Sequence, residues 1–361
     1  MINQEGNMNN IQKLQNAVKA KPYDALMLIS GTNRLYATGF SSSAGIVFIT
    51  PEKSYFMTDS RYIEAAGLAI GGAAEVLLVK AGHSYMDYIN GFIAEYGVKT
   101  VGFEERALSY ADYLDYSRKM NAELVPAQPT LDELRIVKTK EELDVMIEAQ
   151  RIAEAAFEDV LGMIGPDKTE KDIEAEFLYR FAKHGADGYS FKPIVVSGEH
   201  SSMPHGVPQA TYVQGFLTMD FGVRYKGYCS DMTRTVCIGQ PTAEMEKVYY
   251  TVLEAQETAI AATKAGLTGR ELDAVARGVI EKAGYGEYFG HSYGHGLGLD
   301  VHEMPNAAPS SEGILPAGAV VSAEPGIYLP GKFGVRIEDC VYITESGCIN
   351  LMKTPKELLI I

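Results

Sequence analysis

Two segments of this chain can be laid over each other, and that correspondence restricts its fold more than any other feature. Thr169 with Asp172 opens a helix-forming stretch that Gly185 follows; Thr268 with Glu271 opens another that Gly284 follows. In each, a threonine cap faces an acid three positions on, the pattern of a capping box, and a glycine comes after the last helical turn. Both stretches run 16 residues from threonine to glycine, at an offset of 99. A longer amphipathic helix precedes each. Leu143, Met146, Ile147, Ala153, Phe157, Val160 and Leu161 mark the first, which Gly162 and Pro166 end; Met245, Val248, Tyr249, Val252, Leu253, Ala259 and Ile260 mark the second. A histidine-bearing stretch and then strands follow each pair. Such an internal duplication predicts two α+β halves facing each other, with a cleft between their sheets.

The 361 residues suit about two domains, and a chain of this length can bury a core without disulfide or metal staples. The first 130 or so residues read as a small mixed α/β domain. Ala25–Ser30, Gly45–Thr50 and Ser54–Thr58 are expected strands; Ser84–Tyr96 and Ser109–Met120 are expected helices. Val125–Thr130, with Pro126 and Pro129, is the expected boundary.

Charge removes several function classes. Thirty-two Lys and Arg stand against 47 Asp and Glu, a formal charge of −15 with histidine neutral. Phosphate backbones and anionic lipid surfaces repel such a chain, so neither a nucleic acid nor a membrane is an expected partner. No apolar run reaches 18 residues. The opening MINQEGNMNN lacks a basic segment and an apolar segment, so no signal peptide is read there. Cys229, Cys237, Cys340 and Cys348 show no CxxC spacing and are expected as buried, reduced thiols in strands. The expected location is cytoplasmic.

The chemistry-bearing residues lie in the duplicated part. In TMDFGVRYKGYCSDMTRT, Asp220 and Asp231 flank a segment with Gly222 and Gly227 that reads as a β-hairpin. Its midpoint between Tyr225 and Lys226 sets the two aspartates opposite or nearly so. Facing carboxylates repel unless a cation lies between them, although each also reads as a solvated residue at a turn edge. Glu324 precedes Pro325, which favours an extended backbone. In VRIEDCVYI, alternation puts Arg336, Glu338 and Cys340 on one face and Val335, Ile337 and Val341 on the other. That arrangement also suits a plain surface ion pair. Between these lies HSYGHGLGLDVHEMP, with His291, His295 and His302 out of seven histidines in the chain. Gly294, Gly296 and Gly298 around His295 allow backbone or ligand to approach closely. His205, in MPHGVP, is placed to join the same cleft from the other half.

Four carboxylates and an imidazole suit a pair of hard or borderline divalent ions; the oxygen-rich set favours Mn²⁺, with Co²⁺, Zn²⁺ or Fe²⁺ compatible. Two ions roughly 3.5–4 Å apart can hold a bridging hydroxide and stabilise charge in an addition to a carbonyl. Residue chemistry thus reaches a dinuclear metallohydrolase without a named substrate.

The ordered motifs MDFG, CSDMTRT, HSYGHGLGLDVHE, AEPGIY and VRIED resemble those of the pita-bread metallopeptidases, and within them Xaa-Pro aminopeptidase (aminopeptidase P) and Xaa-Pro dipeptidase (prolidase). The resemblance covers about 136–361. RLYATGF and TDSRY are more weakly similar to the creatinase-type N-terminal domain. The fold it implies is α+β: a creatinase-like N-terminal α/β domain over 1–130, followed by a pseudo-twofold pita-bread C-terminal catalytic domain over 136–361. Carried over residue by residue, it implies that Asp220 binds one metal, His295 and Glu324 bind the other, and Asp231 and Glu338 bridge. Glu324 is then also the proton shuttle, His205 and His302 stabilise the substrate carbonyl or tetrahedral intermediate, and His291 and Arg336 lie around the substrate. Creatinase keeps this fold without metals, whereas all five ligand positions are intact here.

The activity this resemblance implies is a metal-dependent exopeptidase that cleaves between an N-terminal residue and a following proline. Its partners are short peptides with proline at the second position. An Xaa-Pro dipeptidase is the alternative; a methionine-type aminopeptidase or an inactive binding protein on the same fold is the more distant one. A scissile Xaa-Pro amide has no N–H, so a site for it must expect an imide nitrogen and pack the pyrrolidine ring. Some of the 22 tyrosines can supply that packing. A dimer or tetramer is expected by resemblance alone.

Overall fold

A computed structural model describes residues 9–361. Most of the segment on which the absence of a leader was read, residues 1–8, lies outside the described part. The chain divides into two compact units, one ending at Leu134 and the other spanning Arg135–Ile361.

The N-terminal unit alternates helices and strands: α1 (Asn10–Ala20), β1 (Ala25–Leu28), α2 (Gly31–Thr38), β2 (Ile46–Ile49), β3 (Ser54–Thr58), α3 (Ile63–Ala69), β4 (Glu75–Leu78), α4 (Tyr85–Tyr96), β5 (Thr100–Phe103), α5 (Tyr110–Lys119) and β6 (Glu123–Pro126), followed by α6 (Gln128–Ile136). Its sheet runs β4-β3-β2-β1-β5-β6 and is mixed, with antiparallel pairs at β1–β2 and β2–β3 and parallel pairs elsewhere. Every residue of β1, β2 and β3 is buried, which is why these strands read as unbroken apolar runs rather than alternating ones. Ser84 and Ser109, expected as first helical residues, are instead caps whose hydroxyls accept from Asp87 and Asp112 backbone N–H. The Val125–Thr130 segment is no loop. Pro126 ends edge strand β6, where no ladder hydrogen bond needs its nitrogen, and Pro129 sits in the first turn of α6, where an N–H has no helical partner.

The second unit carries the duplication. α7 (Lys140–Leu161) and α8 (Glu170–Lys183) precede β7 (Gly188–Tyr189), β8 (Ile194–Ser197), β9 (Gly215–Phe221), β10 (Val223–Tyr225), β11 (Tyr228–Cys229) and β12 (Met232–Ile238). α9 (Ala243–Ala262) and α10 (Gly269–Lys282) precede β13 (Gly294–Gly296), β14 (Glu303–Ala307), β15 (Val320–Ala323), β16 (Gly326–Leu329), β17 (Phe333–Arg336), β18 (Asp339–Ile343) and β19 (Cys348–Asn350). Both expected capping boxes are present, Thr169 with Asp172 and Thr268 with Glu271, and Gly185 and Gly284 adopt φ of 91° and 89°. The halves also match in backbone hydrogen bonds. Val213 N donates to Lys168 O and Leu315 N to Leu267 O, while Lys171 N donates to Gln209 O and Arg270 N to Ser311 O. The helix-side members are offset by 99 and the strand-side members by 102, so the second half carries three extra residues between them.

Each half buries its own helix–sheet core, with Phe157, Phe177 and Phe221 stacked in the first and Tyr249, Leu272, Tyr293 and Ile327 packed in the second. The sheets β12-β9-β8 and β14-β13-β15-β18-β19 meet where Glu338 N donates to Thr233 O at 3.1 Å. All four cysteines are free and lie in strands; three are buried and Cys348 is half-buried. Among the described residues, no helix is long and apolar enough to cross a membrane.

Candidate metal centre

The expected hairpin forms, but its pivot lies one residue further on. Tyr225 pairs with Tyr228 and Arg224 with Cys229, so the two-residue turn is Lys226–Gly227, with φ of 47° and 84°. Positive φ at both positions suits a type I′ turn, whose twist matches the flanking strands; Lys226 tolerates it at some strain. Asp220 therefore pairs with Thr233 rather than facing Asp231. Asp231 stands two residues before Thr233, on the diagonal of the same face, and both aspartates line one cavity.

His295 is the middle residue of β13. A Cβ on Gly294 would come within 2.0 Å of Ser322 O, and one on Gly296 within 2.4 Å of Met304 O. The glycines thus let β15 and β14 close on either side of the histidine. The His295 Nδ1–H donates to Gly296 O at 3.1 Å, which turns Nε2 into the cavity, 3.2 Å from Glu324 Oε1 and 3.7 Å from Asp231 Oδ2. Ser322 links the pair: its Oγ accepts from His295 N at 3.0 Å and donates to Glu324 Oε1 at 3.1 Å.

Arg336 and Glu338 do not form a surface ion pair; they are 3% and 1% exposed. Arg336 pairs with Asp220, Nη2 to Oδ2 at 2.6 Å, and also donates to Thr233 Oγ1 and the Tyr328 hydroxyl. Glu338 Oε2 accepts from Thr233 Oγ1 at 2.7 Å. The alternation holds for Ile337, which turns into the second half's core, while Cys340 donates to Asp231 O instead of reaching the cavity.

All nine residues singled out in the sequence line a single cavity of about 550 Å³. Asp231, His295 and Glu338 each offer a ligand atom within 4.8 Å of the others. Asp220 and Glu338 share a further property: one oxygen is fixed by protein, while Asp220 Oδ1 and Glu338 Oε1 are buried with no hydrogen-bond partner. Buried, unpartnered carboxylate oxygens are costly unless a cation meets them. Burial, then the charges of Glu338 and Asp220, pushes the Asp231 carboxyl well above its usual range. Burial, then Glu324 and Asp220, does the same to Glu338. Asp220 is raised less, since burial is opposed by Arg336. Burial also acts on Glu324, but the His295 hydrogen bond and charge outweigh it and hold the carboxyl at about 2. A donor set of this kind fits divalent cations, which would remove the mutual repulsion.

Three histidines complete the wall. His302 meets the His295 ring edge-on, with centroids 4.2 Å apart. His291 Nδ1–H donates to Ser292 O, so Nε2 accepts from the Tyr328 hydroxyl at 2.9 Å. Burial pushes both His291 and His302 below the ordinary histidine value, which keeps them neutral at pH 7. His205 follows Pro204, whose carbonyl accepts from Arg336 Nη1 at 3.3 Å. Tyr328 was not found from the sequence. It accepts from Arg336 and donates to His291, completing a chain Asp220–Arg336–Tyr328–His291, and its signal was the period-2 spacing from Gly326 in AEPGIY. Phe191, Lys192 and Ile194 also line the cavity; Ile194 pairs with Asp220 across β8 and β9.

Residues 144–345 match metallopeptidase family M24, and residues 10–137 match the creatinase/prolidase N-terminal domain. The chain belongs to metallopeptidase family M24. The pseudo-twofold α+β fold that follows a creatinase-type N-terminal domain in sequence is that of the pita-bread enzymes, and M24 membership makes this a peptidase that uses divalent metal ions. The M24 chain is 41% identical to a solved Xaa-Pro dipeptidase from Bacillus anthracis, with a TM-score of 0.93 and coverage of 98% of this chain and 99% of that one. An X-Pro aminopeptidase from Thermotoga maritima is 36% identical, with a TM-score of 0.90 and coverage of 96% and 100%. An Xaa-Pro dipeptidase from Pyrococcus furiosus is 40% identical over 72% of this chain and 76% of its own.

Proposed function

We propose that this M24 peptidase is an Xaa-Pro dipeptidase in which two divalent ions, Mn²⁺ by the oxygen-rich donor set, are held by Asp220, Asp231, His295, Glu324 and Glu338. The observation that carries the metal reading is the pair of buried, unpartnered oxygens, Asp220 Oδ1 and Glu338 Oε1. Bound there, such ions supply a Lewis acid for the scissile carbonyl and an acidified water. Glu324, ionised at neutral pH, is the base that takes a proton and returns it to the leaving proline nitrogen, which has no hydrogen of its own. His302 and His205 donate hydrogen bonds to the oxygen that gains charge. Arg336 holds Asp220 and, through Tyr328, orients His291 toward the substrate.

Between the two expected exopeptidase readings, the dipeptidase now comes first. Two of the three relatives described are Xaa-Pro dipeptidases. The cavity adds a chemical reason. A dipeptide brings a free carboxylate within about 4 Å of the bond to be cleaved, by ordinary backbone dimensions. Arg336 is engaged by Asp220, Thr233, Tyr328 and Pro204, whereas Lys192 is an exposed lining residue, with Nζ 3.0 Å from Glu174 Oε1. That contact is a charge pair without hydrogen-bond alignment, since Glu174 Oε1 has no hydrogen-bond partner, so the ammonium is free to turn to a substrate carboxylate. An Xaa-Pro aminopeptidase remains the second reading, favoured by the Thermotoga maritima likeness. Rates on Ala-Pro, Ala-Pro-amide and Ala-Pro-Ala with Mn²⁺ separate them. The dipeptidase reading expects Ala-Pro to be cleaved fastest; equal or faster cleavage of Ala-Pro-Ala supports the aminopeptidase, and no cleavage of any refutes both.

A further inference from the structure

The loop that carries His302 touches the metal-facing residues through the His295 ring, and other residues hold its two ends. Leu297–His302 lies outside regular strand, between β13 and β14. At its far end the next residue, Glu303, turns away from the cavity into a buried network of charges. Glu303 Oε2 meets Arg135 Nη2 at 2.5 Å and Oε1 meets Lys138 Nζ at 2.6 Å, all three side chains being under 10% exposed. Arg135 Nη2 also reaches Asp300 Oδ2 at 2.7 Å, within the loop itself. Lys138 Nζ further donates to Arg135 O at 2.8 Å. The Glu303 carboxylate lies against the loop backbone: a Cβ on Gly298 would stand 2.4 Å from Oε1. The near end is tied by Gly298, whose N–H donates to Asp300 O and whose carbonyl accepts from Cys229 N.

Two buried cations on one buried carboxylate, with the half-exposed Asp300 at the edge, are weak evidence for stability, since apolar residues of similar volume often serve as well. What it does provide is a fixed position. We infer that Glu303, clamped by Arg135 and Lys138, is a positioning residue that holds His302 at the distance from His295 where it can act on the substrate. The inference rests on the proposed role of His302. It also assigns a purpose to Gly298, the residue whose missing side chain leaves room for the clamp.

A double-mutant cycle on the Mn²⁺-loaded enzyme with Ala-Pro tests it. Glu303→Asp keeps the charge but shortens the side chain by about 1.5 Å, so it no longer reaches both cations. The expected result is a loss of kcat on the order of 10–100-fold, with KM and bound manganese little changed. In a His302→Ala background the same substitution is expected to change kcat less than about twofold. Losses that multiply in the two backgrounds overturn the inference, because the clamp then acts elsewhere than through His302. If His302→Ala alone leaves kcat intact, the catalytic role of His302 fails, and ring ¹⁵N resonances decide the clamp. The His302 signals must shift or broaden in Glu303→Asp while those of His205 and His291 stay put; an unmoved His302 signal overturns it. Gly298→Ala, which pushes on the same carboxylate, is expected to reproduce both readouts should Glu303→Asp fold poorly.

Discussion

Replacing Glu338 by glutamine takes one negative charge out of the cavity and changes little else. The amide keeps an oxygen to accept from Thr233 Oγ1, and its NH₂ falls where Oε1 lacks a partner. Ligand atoms of Glu338 and Asp231 lie within 4.8 Å of each other. At an effective dielectric of about 20, two unit charges at that separation repel by about 3.5 kcal/mol. Partial protonation of these raised carboxyls already relieves some of this, leaving about 1–3 kcal/mol for the substitution to release in metal-free protein. For a unit of this size that corresponds to a rise in Tm of about 3–10 °C. Calorimetry in EDTA and in excess Mn²⁺ reads the effect. Metal-free Glu338→Gln is expected to melt above metal-free wild type, and the order to invert with Mn²⁺, when only wild type gains. Carboxyls held above their usual value bind more protons folded than unfolded, so metal-free wild type also loses stability as pH rises from about 4 toward neutrality. A metal-free variant that melts below wild type, or that keeps the full Mn²⁺ gain, refutes the reasoning.

Gly294→Ala forces a Cβ to 2.0 Å from Ser322 O, so β13 must leave β15; a loss of at least about 2 kcal/mol is expected, with weaker Mn²⁺ binding, by denaturant titration and calorimetry. Burial would raise the Asp339 carboxyl, but Arg234 at 2.8 Å and Lys356 at 3.1 Å hold it below the usual range. Asp339→Asn is therefore expected to destabilise by about 3–5 kcal/mol at pH 7, and the gap to wild type to shrink as pH falls below about 4; a gap that stays constant in acid contradicts this. Lys192→Met is expected to lower kcat/KM on Ala-Pro about 10-fold or more while leaving Ala-Pro-amide nearly unaffected; equal losses on both remove Lys192 from carboxylate recognition.

The catalytic unit was legible because its signals are local. Capping boxes at Thr169 and Thr268 span three residues each, and the glycines around His295 announce a close backbone approach without reference to any partner. Register was less legible. The reading that set Asp220 opposite Asp231 or nearly so put the turn one residue early, because the turn has a lysine, not a glycine or asparagine, at its first positive φ, and the two aspartates stand on a diagonal. Pro126 and Pro129 do not mark a loop, since proline is tolerated at an edge-strand end and in a helix's first turn as readily as in a linker. Short strands such as β4, with exposed residues at both ends, carry too few apolar positions to show a period. Residues that bind ions by their own chemistry were found, while Lys192 in the cavity wall and Tyr328 and Thr233, which hold Arg336 and Glu338, were not. Their contribution depends on what stands beside them in space; the period-2 spacing in AEPGIY pointed at Tyr328, but no spacing along the chain points at Thr233 or Lys192.

The central claim is that the carboxylates and His295 gather divalent ions that make the chain an Xaa-Pro peptidase. Its most direct test is the rate of Ala-Pro hydrolysis plotted against the number of Mn²⁺ ions bound to EDTA-stripped protein. The account expects no hydrolysis without metal and a rate that rises to a plateau at two ions per chain. Hydrolysis that persists in stripped protein, or a fully loaded protein that leaves Ala-Pro intact, contradicts it.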